Sequence, residues 1–186
     1  EKLHAIDTTV DEEKIRTQYG LQGKIVAIFG GNIGLPQKME NILNLAKAST
    51  DLENLVFFIV GRGTERERIA ILAKEMNLTN VIIKASLPRP DYNKILQIAD
   101  IGLISLNENF TIPNYPSKVN SYYGYKKPVL ASVDKHTDFG IMQENIKSGF
   151  WSEAGDIDSL KANLIKLYNN EQLRKELGEN GYNYMR

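Results

Sequence analysis

The sequence predicts an α/β protein, one domain built on an open, doubly wound parallel sheet of about six strands. Three observations carry that reading. Five short runs rich in β-branched residues are apolar almost throughout, which marks strands covered on both faces. Between them lie amphipathic segments with apolar residues at helical spacing. The two kinds of segment alternate along the chain, and alternation of this sort builds a parallel sheet with right-handed crossovers.

The elements follow in order. A capping-box pattern, Thr9 to Glu12, opens a short helix that ends near Gly20. Strands are expected at 24–30, 54–60, 81–84, 101–106 and 128–132, with Phe150 and Trp151 as a short sixth. Helices are expected at 37–48 (stripe Met39, Ile42, Leu43, Ala46) and 64–77 (stripe Ile69, Leu72, Ala73, Met76). In the second, Thr64 and Glu67 offer another capping box. Shorter helices are read at 91–99, 117–125 and 136–145, then two longer ones at 156–168 and 171–184. There is no internal repeat, low-complexity stretch or interdomain linker.

Composition bounds the function. At 186 residues, 42% hydrophobic and 25% charged, the chain suits one globular domain that buries roughly 70% of its unfolded surface. Lys plus Arg number 23 and Asp plus Glu number 23, so nothing draws the whole chain toward nucleic acid, and an anion site must be local. The absence of cysteine excludes disulfides and cysteine–zinc sites. Apolar runs such as 55–60 are too short to span a bilayer. A start at Glu1, without a leader pattern, reads as a fragment excised from a longer protein, and a cytoplasmic setting is expected.

Ligands of open parallel sheets bind at the carboxyl ends of the strands. The loops expected there are Gly30-Gly31-Asn32-Ile33-Gly34, Gly61-Arg62-Gly63, the run Ser86-Leu87-Pro88-Arg89-Pro90, and the segment through Pro113, Asn114, Pro116 and Ser117 to Lys118. Glycines let a ligand approach the main chain. A helix opening at Pro116 and Ser117 aims unpaired amides outward, and Lys118 adds a full charge. Each loop has an ordinary reading as well: glycines for packing, Arg62 as a solvated residue, Pro116-Ser117 as a helix cap. Four on one edge point to a phosphate. Neither a dinucleotide fingerprint nor a P-loop is present, since Gly61-Arg62-Gly63 stands where a ribose-binding carboxylate belongs. Asp156-Ile157-Asp158 is read as a helix cap rather than a metal motif, and His4 and His136 as surface residues. Tyr122, Tyr123 and Tyr125 are read as rings packed on the sheet.

Several landmarks then come in a familiar order. They are the glycine turn from Gly31 to Lys38, Phe58-Ile59-Val60-Gly61-Arg62-Gly63, Ala99-Asp100-Ile101-Gly102-Leu103, Pro116-Ser117-Lys118 and Lys127-Pro128-Val129-Leu130-Ala131-Ser132. With them the chain resembles, over nearly its whole length, the C-terminal domain of retaining GT-B glycosyltransferases of family 4 (group 1). The resemblance implies a Rossmann-like domain, one half of a GT-B enzyme, that binds a nucleotide-diphosphate sugar. It puts Gly31 against the donor, Asn32 in the place of a phosphate-gripping Arg, and Gln37 or Lys38 in the place of a Lys; Gly61, on the neighbouring loop of the same edge, is taken as a further substrate-binding position. Leu87 and Pro88 would lie against the base. Pro116, Ser117, Lys118 and Val119 would meet the phosphates. The family's E-x7-E pair falls on Pro113 and Ser121, neither of them acidic, so Ser121 would make only an uncharged contact with ribose.

The implied chemistry is transfer of a sugar to a glycan or lipid-linked acceptor, in capsular or lipopolysaccharide synthesis. No group is assigned as nucleophile or base; Lys118, Lys38 and Arg62 are expected to stabilise the departing diphosphate. No metal and no cofactor is expected, and no nucleic-acid partner. The acceptor would bind an N-terminal domain absent from this chain, which could also hold the protein at the inner face of a membrane. This domain alone is expected to bind donor weakly and turn over nothing. Two other classes stay open: half of a sugar-nucleotide epimerase, or a non-catalytic nucleotide-binding module.

Overall fold

The structure, a computed structural model, describes residues 6–109, 118–136 and 138–186. His4 and the loop residues Pro113, Asn114, Pro116 and Ser117 lie outside the described residues. In chain order the elements are α1 (Glu12–Gln18), β1 (Ile25–Asn32), a 3-10 turn (Leu35–Gln37), α2 (Glu40–Ala48), β2 (Leu55–Arg62), α3 (Arg66–Glu75), β3 (Val81–Lys84), α4 (Arg89–Ile98) and β4 (Ile101–Ser105). Then follow α5 (Lys118–Gly124), β5 (Val129–Val133), α6 (Asp138–Ile146), β6 (Gly149–Glu153), α7 (Ile157–Tyr168) and α8 (Glu171–Met185).

The six strands form one parallel sheet in the order β3-β2-β1-β4-β5-β6. The chain winds outward from β1 to β3, returns to β4 beside β1, and winds the other way. The switch between β1 and β4 opens a crevice at their carboxyl ends, the place where such sheets bind ligands.

Both faces are covered, which is why the strands carry no alternation. Ile28, Phe58 and Val60 pack under α1, α4, α5 and α6, together with Ile15, Ile95, Tyr122 and Phe139. Phe29, Phe57 and Ile59 pack under α2, α3 and α7, together with Leu43, Ile69 and Leu164. Tyr122 and Tyr123 are wholly buried, as the sequence predicts for rings on the sheet. The Tyr122 hydroxyl lies 2.8 Å from the Leu103 carbonyl oxygen and 3.1 Å from that of Ile28, bridging β4 and β1 below the crevice. No helix among the described residues is long and apolar enough to cross a membrane.

Several boundaries differ from the sequence reading, each for a physical reason. β1 and β2 run two residues further than their apolar runs, because Gly31 pairs with Gly61 and Asn32 with Arg62. A Cβ on Gly61 would overlap the Gly31 carbonyl oxygen, so a glycine there lets the strands stay paired up to the rim. The helix expected at 37–48 is split: Lys38 takes a left-handed conformation (φ 39°) between the 3-10 turn and α2. Neither capping box forms. Thr9 instead donates its hydroxyl and its N–H to the Asp7 carboxylate, and Asp11 caps α1 by accepting from Lys14 N–H. At α3 the N-cap is Glu65, whose carboxylate is taken by Arg68 at 2.7 Å. The reading of Asp156 as a cap holds, since its side chain accepts from Ser159 N–H at 3.0 Å.

Candidate functional site

Two turns frame the crevice. After β1 the chain makes a compact loop from Gly31 to Lys38; after β4 it leaves through Leu106, Asn107, Glu108 and Asn109. Four contacts join them. The Asn107 N–H donates to the Pro36 carbonyl at 2.7 Å and its side-chain amide to the Leu35 carbonyl at 3.4 Å. The Ser105 hydroxyl donates to the Lys38 carbonyl at 3.1 Å. The Lys38 ammonium meets the Glu108 carboxylate at 2.6 Å and holds that carboxyl below its usual range.

The positive group at the centre is Lys118, the first residue of α5. Its ammonium lies 3.8 Å from the centroid of the Phe29 ring, a cation–π contact. A Cβ built on Gly31 would come within 3.6 Å of the Lys118 Cε and 3.7 Å of its Nζ. Gly31 itself has φ 126°, a conformation open to glycine. No carboxylate pairs with Lys118 among the described residues. Burial disfavours its charged form and lowers its pKa to about 8. A cation in this setting gains most from an anion brought to it, because the surrounding protein has already displaced its water.

Arg62 stands beside this centre. It is exposed, opposite Asn32 in the β1–β2 register, and its carbonyl accepts from Ile33 N–H at 3.0 Å. Gly31, Arg62 and Lys118 therefore share one rim, as the loop argument requires. Gln37 serves the turn itself: its Oε1 accepts from Gly34 N–H at 3.0 Å and from the Asn32 side chain at 3.3 Å. Val119 is wholly buried in the core, which leaves only its main chain for a ligand. Ser121 follows Lys118 by three positions, on the same side of α5, and is partly buried. Leu87 is partly buried against the core, and the Pro88 carbonyl accepts the first amides of α4, from Asp91 and Tyr92. Among the described residues no cluster of acidic, histidine or cysteine side chains could hold a metal ion.

Two contributors escape a sequence reading. Phe29 is the last apolar residue of β1 and nothing in the sequence sets it apart as the floor beneath a lysine. Glu108 had a signal, being the single acidic residue between Ile101 and Lys118, but its partner lies 70 positions away.

The fold and this rim define an open, doubly wound α/β domain whose switch-point crevice carries a glycine turn and a lysine that meets no carboxylate among the described residues. The chain belongs to the glycosyl transferases group 1 family, which matches residues 11–184. Among curated relatives, it is 27% identical over 145 residues to the putative colanic acid biosynthesis glycosyl transferase WcaI of Escherichia coli. That match covers 76% of this chain and 34% of the relative, so the chain spans about a third of that protein's length. Among solved structures, a mutant of S. aureus TarM superposes on 100% of this chain and 34% of its own, with a TM-score of 0.77 at 19% identity. The C-terminal domain of the Francisella tularensis group 1 protein LpcC matches 96% of this chain and 95% of its own, at a TM-score of 0.65 and 18% identity. The fold is thus that of the C-terminal half of a GT-B glycosyltransferase.

Proposed function

We propose that this domain binds the nucleotide-diphosphate sugar donor of a retaining glycosyltransferase, which passes the sugar to a glycan or lipid-linked acceptor of a bacterial surface polysaccharide. One observation carries the reading: the Lys118 ammonium, without a carboxylate partner among the described residues, beside the open backbone of Gly31 at the β1–β4 crevice. The structure of the TarM mutant contains UDP, and the E. coli relative is named for colanic acid synthesis. Both support a sugar donor and an envelope glycan.

In this reading the diphosphate lies over Gly31, with Lys118 against it and Arg62 and Lys38 at its margins. As the bond from the anomeric carbon to the diphosphate breaks, negative charge grows on the leaving oxygen. Lys118, already stripped of much of its water, answers that charge without the solvent reorganisation that water would need. The nucleotide departs stabilised. Asn32 and Gln37 shape the turn; main-chain amides around Lys118 and Val119 meet the phosphates, Ser121 offers a hydroxyl to the ribose, and the loop at Leu87 and Pro88 lies against the base. Acceptor binding falls to a second domain, so this domain alone binds donor and transfers nothing. No step in this scheme calls on a metal or a cofactor.

Thermal unfolding with UDP, GDP, NAD and FMN tests the reading, because a ligand that binds only the folded chain raises its melting temperature. Stabilisation by one nucleoside diphosphate, lost in Lys118→Ala, is the expected result. Stabilisation by NAD or FMN alone would overturn it in favour of a different nucleotide-binding module.

A further inference from the structure

We propose that Glu108 is an internal competitor for the ligand anion: it holds Lys38 and must be displaced before Lys38 can join the diphosphate. The inference rests on the donor-site reading above and adds a residue that sets how much negative charge a ligand must bring.

The geometry separates the side-chain pair from the backbone clasp that supports it. Asn107 and Ser105 tie the two turns together through the carbonyls of Pro36, Leu35 and Lys38. Those bonds do not involve the Lys38–Glu108 ion pair. Opening the pair is therefore a side-chain event that leaves the rim in place. Lys38 is anchored by its own main chain at the mouth of the crevice, while its four-carbon stem is free to swing. Both members are solvent-accessible, 29% and 40% exposed, so a ligand can reach the pair and water can receive the released carboxylate.

The energetics favour exchange with a multivalent anion. An exposed ion pair contributes only about 0 to 1 kcal/mol, so a single carboxylate holds Lys38 weakly. A diphosphate carries more charge, and Lys118 attracts it to the same crevice. A neutral or singly charged ligand lacks that advantage and leaves Lys38 with Glu108. Lys118 thus stands open to a ligand, with Lys38 in reserve.

The test is calorimetric titration of this chain with UDP, GDP, inorganic pyrophosphate and uridine at low salt. Four forms are compared: the unaltered chain, Glu108→Gln, Lys38→Met and the double variant. Glu108→Gln should bind the diphosphate that the unaltered chain prefers roughly two- to fivefold more tightly, the size of an exposed pair that no longer has to be broken. Uridine affinity should not change. The gain should vanish in the double variant, which should match Lys38→Met. Equal or weaker diphosphate binding by Glu108→Gln overturns the proposal, as does a gain that survives loss of Lys38. If the unaltered chain binds diphosphate well while Glu108→Gln is indistinguishable from it, the competitor role alone falls. If no form binds any diphosphate, the donor-site reading falls and Glu108's role with it.

Discussion

The Lys118 ammonium and the Phe29 ring face each other at 3.8 Å, joining the start of α5 to the end of β1 across the crevice. The ring takes the place of a counter-ion: its face is weakly negative, enough to hold a cation but not to neutralise one. The site is left with a charge that an arriving anion can satisfy.

Diphosphate affinity should therefore depend on pH. Lys118 titrates near 8 in the free chain because burial disfavours its charged form. A bound anion raises that value, so affinity falls as pH climbs above 8, by at most about tenfold per unit. Titration with the preferred nucleoside diphosphate between about pH 7 and pH 9.5 checks this. Lys118→Arg, whose charge does not titrate in that range, should give a flat profile.

Folding stability should move the opposite way. Lys118 and Lys127 both have folded pKa values lowered to about 8 from 10.5, in each case chiefly by burial. Between those values the unfolded chain keeps protons that the folded chain has lost, so stability rises with pH. Above about 10 the trend reverses, since the half-buried Tyr92 holds its proton to about 12 while the unfolded chain ionises. Urea unfolding at about pH 7.5 and about pH 9.5 should show the rise, and Lys118→Met should remove part of it.

Two neighbouring glycines should respond differently to alanine. At Gly31 the added methyl finds room beside Lys118 but the backbone is strained at φ 126°, which costs on the order of 1–3 kcal/mol. At Gly61 the methyl collides with the Gly31 carbonyl oxygen, and the strands must part. Gly61→Ala should be the more destabilising by thermal unfolding, and the order reversed would show that the pairing does not need to be so close.

Arg62→Ala should leave the melting temperature unchanged, since the side chain is exposed, while weakening diphosphate binding. An exposed charge acts through screened attraction, so the loss should shrink as salt rises. Titrations at low and high salt measure it. A loss independent of salt would mean that Arg62 makes a close contact instead.

Tyr122→Phe separates fold from site. It removes the hydroxyl that bridges β1 and β4 and leaves two buried carbonyls short of that donor, a cost of about 1–3 kcal/mol. Stability should drop in urea, with the affinity of the folded chain for diphosphate unchanged.

Much of this was written locally. Strand and helix identities follow from apolar periodicity, and all six strands lie where the β-branched runs and the Phe150-Trp151 pair put them. The glycine turns and Lys118 could be placed on one edge, because in a parallel sheet every strand delivers its following loop to the same side. Caps were less legible: Asp11 rather than Thr9 takes the free amide of α1, while at α3 the N-cap is Glu65, whose carboxylate binds Arg68 and caps no amide.

Sequence by itself determined the doubly wound sheet and the edge that carries the candidate site, because periodicity and loop chemistry act over a few residues. Only the tertiary structure decided which charges meet there. Phe29 beneath Lys118 and Glu108 against Lys38 are pairings between segments far apart in the chain. They arise because the strand order sets β4 beside β1, and no spacing along the sequence encodes that contact.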